Sequence, residues 1–170
     1  MRTVADQDWT DTLLERLGRT RTRKEIEPYE VTARISRVAL HVSRRQDAVF
    51  GRFGLNRGEV GVLAALQLAG DGRQLSPTQL FKGLMLSSAG ITTRLDRLEK
   101  RGYVKRSRHP NDRRGVLVTL TESGRKVLEQ AVTEEARGEP EMLRGLTAVE
   151  RRTLASLLKK LLSGLEPAGG

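Results

Sequence analysis

The chain of 170 residues lacks cysteine and contains few aromatic side chains. Without cysteine it cannot form a disulfide scaffold, a thiolate zinc site, an iron–sulfur cluster or a cysteine nucleophile. Its two histidines, His41 and His109, lie too far apart in sequence for a helical pair or a zinc finger. Because only 4% of the residues are aromatic, the core must be built from Leu, Val, Ile and Ala.

Long apolar runs are also absent. No segment approaches the roughly 18 apolar residues of a membrane span, and residues 1–10 lack the apolar region of a secretory signal. We therefore expect a cytoplasmic protein without a membrane partner. The sequence contains no P-loop, dinucleotide fingerprint, nucleophile–base pair or metal-ligand cluster. We expect neither an enzyme nor a bound metal or cofactor.

Positive charge is the strongest compositional feature. Lys and Arg number 31 against 21 Asp and Glu, for a formal net charge of +10. In a folded domain such a surplus of positive charge most often binds nucleic acid, and a plain solvated surface is the alternative. The charge is concentrated, because residues 87–114 hold nine Lys and Arg against three acids. This concentration favours a directed binding surface.

The spacing of apolar residues predicts a mainly helical chain. A short helix is expected over residues 8–17 with Asp8 as its cap, then a charged connection over 18–27. A long helix is expected to begin at Pro28 and stop at Gly54. Further helices are predicted over 56–69, 77–86, 87–101, from Thr121 onward, and from a capping box of Thr147 and Glu150. Gly124, Gly138 and Pro140 leave the middle of the helix from Thr121 open.

A β-hairpin is predicted after Gly102, where the period changes. Residues 103–108 and 116–120 have the composition of strands. The residues between them, 109–115, predict an overlong and basic tip. The expected fold class is therefore mainly α with a small β-hairpin (α+β).

The helix predicted over 87–101 combines an apolar stripe with a slim polar face. Ile91, Leu95 and Leu98 form the stripe. A helix enters a major groove only if its outward face is slim and can bond to base edges. A solvated helix is the alternative, but it usually carries more Glu and Lys. The expected DNA-contacting residues here are Ser87, Ser88, Ala89, Thr92, Thr93 and Arg97.

The hairpin supplies the second expected DNA contact. Arg108, Arg113 and Arg114 would reach phosphates or a narrow minor groove, where the potential is most negative. Asp112 is expected to hold one neighbouring arginine and to fix the turn. The sequence leaves open which arginine is held and which is free.

These residues resemble the MarR family of winged-helix transcriptional regulators. The resemblance rests on T-R-L-D-R-L-E-K-R-G-Y-V at 93–104, D-R-R-G at 112–115 and V-x-L-T-x-x-G at 118–124, and it extends over nearly all of 29–165. It implies a homodimer joined by its N- and C-terminal helices. Each subunit would place a recognition helix in the major groove and a wing in the minor groove of a promoter. Such proteins usually repress, and many release DNA when a small anion binds.

The resemblance also implies a division of the chain. Residues 1–27 form an added N-terminal helix and connection, and 28–54 with 122–165 form the dimerisation helices. Residues 55–121 form the winged helix-turn-helix lobe, and 166–170 a flexible tail. The Leu-rich final helix supports a dimer independently, because it offers more apolar surface than one lobe covers.

The added N-terminal helix is similar to that of the urate-responsive branch of the family. In that branch a Trp, an Asp and two Arg form the ligand pocket, which corresponds here to Trp9, Asp47, Arg94 and, as a departure, Lys82. Lys keeps the charge but loses the planar fork that grips a flat anion. A di- or tricarboxylate is therefore as good a candidate as urate. Asp47 and Arg94 are expected to pair without ligand.

One alternative function is carried forward. The chain would then be a constitutive or architectural nucleic-acid-binding protein with no ligand.

Overall fold

The computed structural model describes residues 7–70, 74–83 and 88–166. The chain forms two compact units, which divide after Gln46, inside the second helix. Residues 84–87, which include the end of the helix predicted over 77–86 and the predicted DNA contact Ser87, lie outside the described residues, as does the tail after residue 166. The elements are α1 Trp9–Leu17, α2 Arg23–Gly51, α3 Arg57–Leu68, α4 Pro77–Gly83, α5 Ser88–Lys100, β1 Val104–His109, β2 Asp112–Leu120, α6 Glu122–Ala136, α7 Glu139–Met142 and α8 Ala148–Leu165.

The first unit joins α1 to the beginning of α2 through a charged cluster. Asp8 caps α1, as predicted, by accepting from the backbone N–H of Asp11 at 3.0 Å. Arg34 on α2 contacts the carboxylates of Asp8 and Asp11, each at 2.8 Å. The pKa of Asp11 lies below its ordinary value because the Asp8 N–H donates to its carboxylate and Arg34 adds a second bond.

The start of α2 differs from the prediction. The helix begins at Arg23, so Pro28 lies inside it and the charged connection is shorter than expected. The reason is a cap formed by Thr22, whose backbone N–H and hydroxyl both donate to the Glu25 carboxylate at 2.8 Å. These bonds hold the pKa of Glu25 below its ordinary value.

The second unit has an aliphatic core formed by α3, α5, α6 and the hairpin. The stripe of Ile91, Leu95 and Leu98 is buried, as predicted. It packs in one cluster with Leu63 and Leu66 of α3 and with residues of α6 and the strands. The predicted caps Asn56, Thr121 and Thr147 are confirmed. The helix that begins after Thr121 ends at Ala136, and the short α7 follows Gly138.

The hairpin is tighter at its tip than predicted. The strands are antiparallel and the turn consists of residues 110–111, so the overlong tip was wrong. Arg108 lies opposite Val116 while His109 lies opposite Asp112, which leaves residues 113–115 as extra residues on β2. Such a bulge bends and twists a strand locally. Leu75 adds a third chain segment through two backbone bonds to Val118, at 3.1 and 2.8 Å.

Substitution of Gly124, in the first turn of α6, tests how closely α6 packs on the segment before β1. A Cβ at this position would lie 2.0 Å from the Tyr103 carbonyl oxygen, which is backbone and cannot move aside. We expect Gly124→Ala to lower the free energy of unfolding by about 1–3 kcal/mol, although Ala is the better helix former by about 1 kcal/mol.

The matched control is Gly164→Ala in α8, where no atom lies within 4 Å of an added Cβ. This variant should be as stable as the parent or slightly more so in urea denaturation at fixed protein concentration. Equal stability of the two variants would contradict the close approach of α6.

Candidate nucleic-acid interface

The consecutive helices α4 and α5 present one polar face to solvent. α4 begins at Pro77, as predicted, because Ser76 and Gln79 form a reciprocal cap at 2.8–3.2 Å. Burial of the α5 stripe turns its other side outward, where Thr92 and Thr93 are exposed. Ser88 and Ala89 belong to the first turn of α5, and Ser87 lies outside the described residues.

Arg97 lies on the exposed side of α5 beside a buried carboxylate. Its side chain is 66% exposed, and its Nη1 lies 3.9 Å from Oε1 of Glu59, which is 5% exposed. The other oxygen of Glu59 accepts from the Asn56 backbone N–H at 3.0 Å, as part of the cap of α3. A buried charge needs a partner, so Glu59 draws the Arg97 guanidinium toward α3. No local spacing in the sequence indicates this pairing, because Glu59 and Arg97 lie on different helices.

The tip of the hairpin is stabilised by contacts among its own residues. The Asn111 backbone N–H donates to Nδ1 of His109 at 3.2 Å. The Asp112 side chain folds over Gly115, because a Cβ there would lie 2.9 Å from Oδ2 of Asp112. Arg108 is exposed on β1, and the backbone of Arg113 and Arg114 lies in the bulged part of β2. Their DNA contacts, and the arginine held by Asp112, stay predictions.

Two arginines of the basic segment, residues 87–114, bond to other residues of the chain and not to solvent alone. Arg101 donates to the carbonyls of Gly54 and Phe53 and stacks 5.0 Å from the Tyr103 ring centroid. Gly54 has φ +67°, a conformation that favours glycine. Arg106 on β1 bonds to acidic residues of α5. The sequence showed the charges of these two residues but not their partners.

The residues predicted for a ligand site are only partly brought together. Asp47 pairs with Arg57, Oδ1 to Nε, at 3.1 Å, so the expected Asp47–Arg94 pair was wrong. Arg94 instead packs on Gly58, where a Cβ would lie 2.1 Å from its Nε. That buried Nε has no hydrogen-bond partner among the described residues.

Trp9 and Lys82 are the other two predicted ligand residues. Trp9 belongs to the first unit, where it is 55% exposed and lies 4.8 Å beneath the Arg37 guanidinium. Lys82 is exposed in the last turn of α4. Their part in a ligand site stays a prediction.

Comparison with known proteins decides the class of this interface. A family model described as the MarR family matches residues 53–115. The transcriptional regulator PecS of Dickeya dadantii is 34% identical over 137 residues, which cover 81% of this chain and 82% of PecS. The chain belongs to the MarR family.

Other MarR relatives agree with this assignment. The multiple antibiotic resistance protein MarR of Salmonella typhimurium is 32% identical, over 75% of this chain and 90% of its own length. A cysteine-to-serine mutant of Escherichia coli MarR, complexed with operator DNA, superposes with a TM-score of 0.71 at 32% identity. That match covers 84% of this chain and 99% of the mutant.

This MarR-family chain is thus a DNA-binding transcriptional regulator with a winged-helix fold, as predicted. A winged-helix fold has a recognition helix and a wing, and the elements predicted for these roles are α5 and the hairpin of β1 and β2. The relatives are regulators and not enzymes. None of the described helices has both the length and the apolar character needed to cross a membrane.

Arg97→Ala tests base recognition by the recognition helix. We expect it to relax sequence preference, because a bidentate contact to guanine is worth about 1–3 kcal/mol of discrimination. Competition binding with operator variants measures this effect. Arg52→Ala, which removes an arginine directly after α2 that pairs with Glu134 at 3.2 Å, is the control. An equal loss of affinity on every duplex would show that Arg97 contacts only phosphate.

Proposed function

We propose that this MarR-family regulator is a homodimeric repressor that leaves a near-palindromic promoter site when a small anion binds. The anion is urate or a di- or tricarboxylate. It binds beside Arg94, in the cluster formed by Asp47, Arg57 and Gly58. The observation that carries the ligand part of the proposal is the buried Nε of Arg94, which has no hydrogen-bond partner in the part of the chain that the structure describes.

The dimer is supported by the exposed apolar face of α8. Soluble proteins rarely leave a continuous apolar face uncovered, and a two-fold symmetric pair covers it with the same face of a second copy. A dimer also presents two recognition helices, which suits half-sites about one helical turn apart, roughly 10 base pairs. The exposed apolar residues of α8 are Val149, Leu154, Leu157, Leu158, Leu161, Leu162 and Leu165.

The anion site is supported by the chemistry around Arg94. A buried N–H without an acceptor costs free energy, and such groups are rare unless a water, an ion or a ligand completes them. Gly58 leaves room for the guanidinium, and the Asp47–Arg57 pair adds a second arginine next in the chain to Gly58. Arg94 and Arg57 supply the positive charge that an anion needs.

Release follows from the position of Arg94 on the recognition helix. An anion that draws the guanidinium away from Gly58 and toward Arg57 also displaces the helix that carries Arg94. A coupling free energy of about 1–3 kcal/mol is enough to change DNA affinity by severalfold to a hundredfold. Asp47 repels the anion while Arg57 attracts it, so Asp47 tunes the affinity of the site.

Disruption of the α8 face tests the dimer. Leu158→Glu places a charge in the apolar face, so we expect a monomer with strongly reduced operator affinity. Ser156→Glu, on the other side of the same helix at 100° per residue, should remain dimeric. Sedimentation equilibrium with operator titration measures both properties. A dimeric Leu158→Glu protein with full affinity would contradict assembly through α8.

Gly58→Ala tests the anion site. Its Cβ overlaps Nε of Arg94 and pushes the guanidinium away, so we expect the ligand concentration for half-release to rise about tenfold. Operator affinity without ligand should fall as well, because moving the guanidinium also moves α5. Gly51→Ala, where no atom lies within 4 Å of an added Cβ, is the control.

The ligand itself is found with a panel of urate, purines, phenolic acids, citrate and related polycarboxylates. A cognate ligand raises the melting temperature by mass action, and the compounds that do so are then tested for release of bound operator. If no compound stabilises the protein or releases DNA, the ligand-free constitutive regulator replaces this proposal.

A further inference from the structure

Arg106 joins the wing to the recognition helix. It lies on β1, beyond the turn at Gly102 that separates β1 from α5. We infer that Arg106 is a positioning residue, which holds the wing at a fixed angle to α5 so that both contact the same DNA duplex. This inference rests on the proposed DNA contact of the wing.

Among the described residues, the side chain of Arg106 bonds only to α5. Its Nη1 contacts Oδ1 of Asp96 at 2.6 Å and Oε2 of Glu99 at 3.2 Å. Its Nη2 donates to the Thr92 carbonyl at 3.4 Å. The backbone N–H of Arg106 donates to the other oxygen of Glu99 at 3.0 Å. Strand and helix are therefore fastened by both the main chain and the side chain of one residue.

The two carboxylates oppose a role in phosphate binding. The Arg106 side chain is only 26% exposed, and its charge is balanced by Asp96 and Glu99. Arg108, two residues further along β1, is exposed. Residues two apart on a strand lie on the same face, so Arg108 is a matched arginine whose charge is available to DNA.

The effect of such a joint on binding is one of geometry. When α5 and the wing form one rigid body, binding of α5 to DNA raises the effective concentration of the wing at its own site on the duplex. Loosening the joint lowers affinity without removing a phosphate contact. The number of counterions released, and with it the dependence of affinity on salt, then stays the same.

The experiment compares Arg106→Ala with Arg108→Ala in operator titrations over a range of salt concentrations. We expect Arg106→Ala to weaken binding about tenfold with an unchanged salt slope. Arg108→Ala should lower the slope by about 0.9, the value for one phosphate contact. In a chain with Arg113→Ala and Arg114→Ala, the effect of Arg106→Ala should largely disappear, because it acts through the wing.

For Asp96→Ala, a pure charge effect and the positioning role predict opposite changes in DNA affinity. Removal of an acid from the recognition helix should tighten DNA binding if only charge matters. The positioning role predicts weaker binding, because Arg106 loses its shortest bond. Arg106→Lys, which keeps the charge but loses the fork, should resemble Arg106→Ala and serves in its place if that variant does not fold.

Three results would overturn the inference. They are a lower salt slope for Arg106→Ala, tighter binding by Asp96→Ala, and an undiminished effect of Arg106→Ala in the wing variant. A different result identifies failure of the proposed wing contact: loss of Arg108, Arg113 and Arg114 then leaves affinity and salt slope unchanged.

Discussion

Burial of the apolar stripe of α5 is the constraint on which the rest of the structure depends. A helix of 13 residues is marginal in water on its own, so α5 exists because Ile91, Leu95 and Leu98 pack into the aliphatic core. That packing also fixes which residues face outward. Because the apolar side of α5 is buried in the core, its slim, polar side faces outward as the predicted recognition surface.

The positive charge of the basic segment is divided between two tasks. Arg101 fastens the end of α5 to the turn after α2, and Arg106 fastens the wing to α5. Other arginines of the segment, such as Arg97 and Arg108, remain exposed. The high count of Lys and Arg indicated a DNA-binding protein correctly, but it did not distinguish exposed arginines from those with internal partners. The internal pairs hold the exposed charges in place.

Local signals in the sequence predicted much of the fold. The caps at Asp8, Asn56, Thr121 and Thr147 and the buried stripe depend on neighbours within one or two turns, so spacing alone reveals them. The predicted start of α2 at Pro28 was wrong, because the cap at Thr22 lets the helix begin five residues earlier, at Arg23. The residues 113–115 had the composition of a loop, and they belong to β2 as a bulge without partners on β1.

Contacts between distant segments were not predictable in the same way. Asp47 had several arginines as possible partners, and only the folded chain selects Arg57. The pairs Arg97–Glu59 and Arg106–Asp96 likewise depend on how α3, α5 and β1 pack. For the candidate site, sequence thus supplied the surface and its chemistry, while the fold determined which charges are free.

Sequence-specific binding by a symmetric dimer is the central claim, and one titration tests it most directly. The purified protein is titrated against a duplex from upstream of its own gene and against a random duplex, at the same salt concentration. The account predicts two protein chains per site and an affinity for the promoter duplex at least about 10³ times higher. Equal affinity for the two duplexes, or one chain per site, would contradict it.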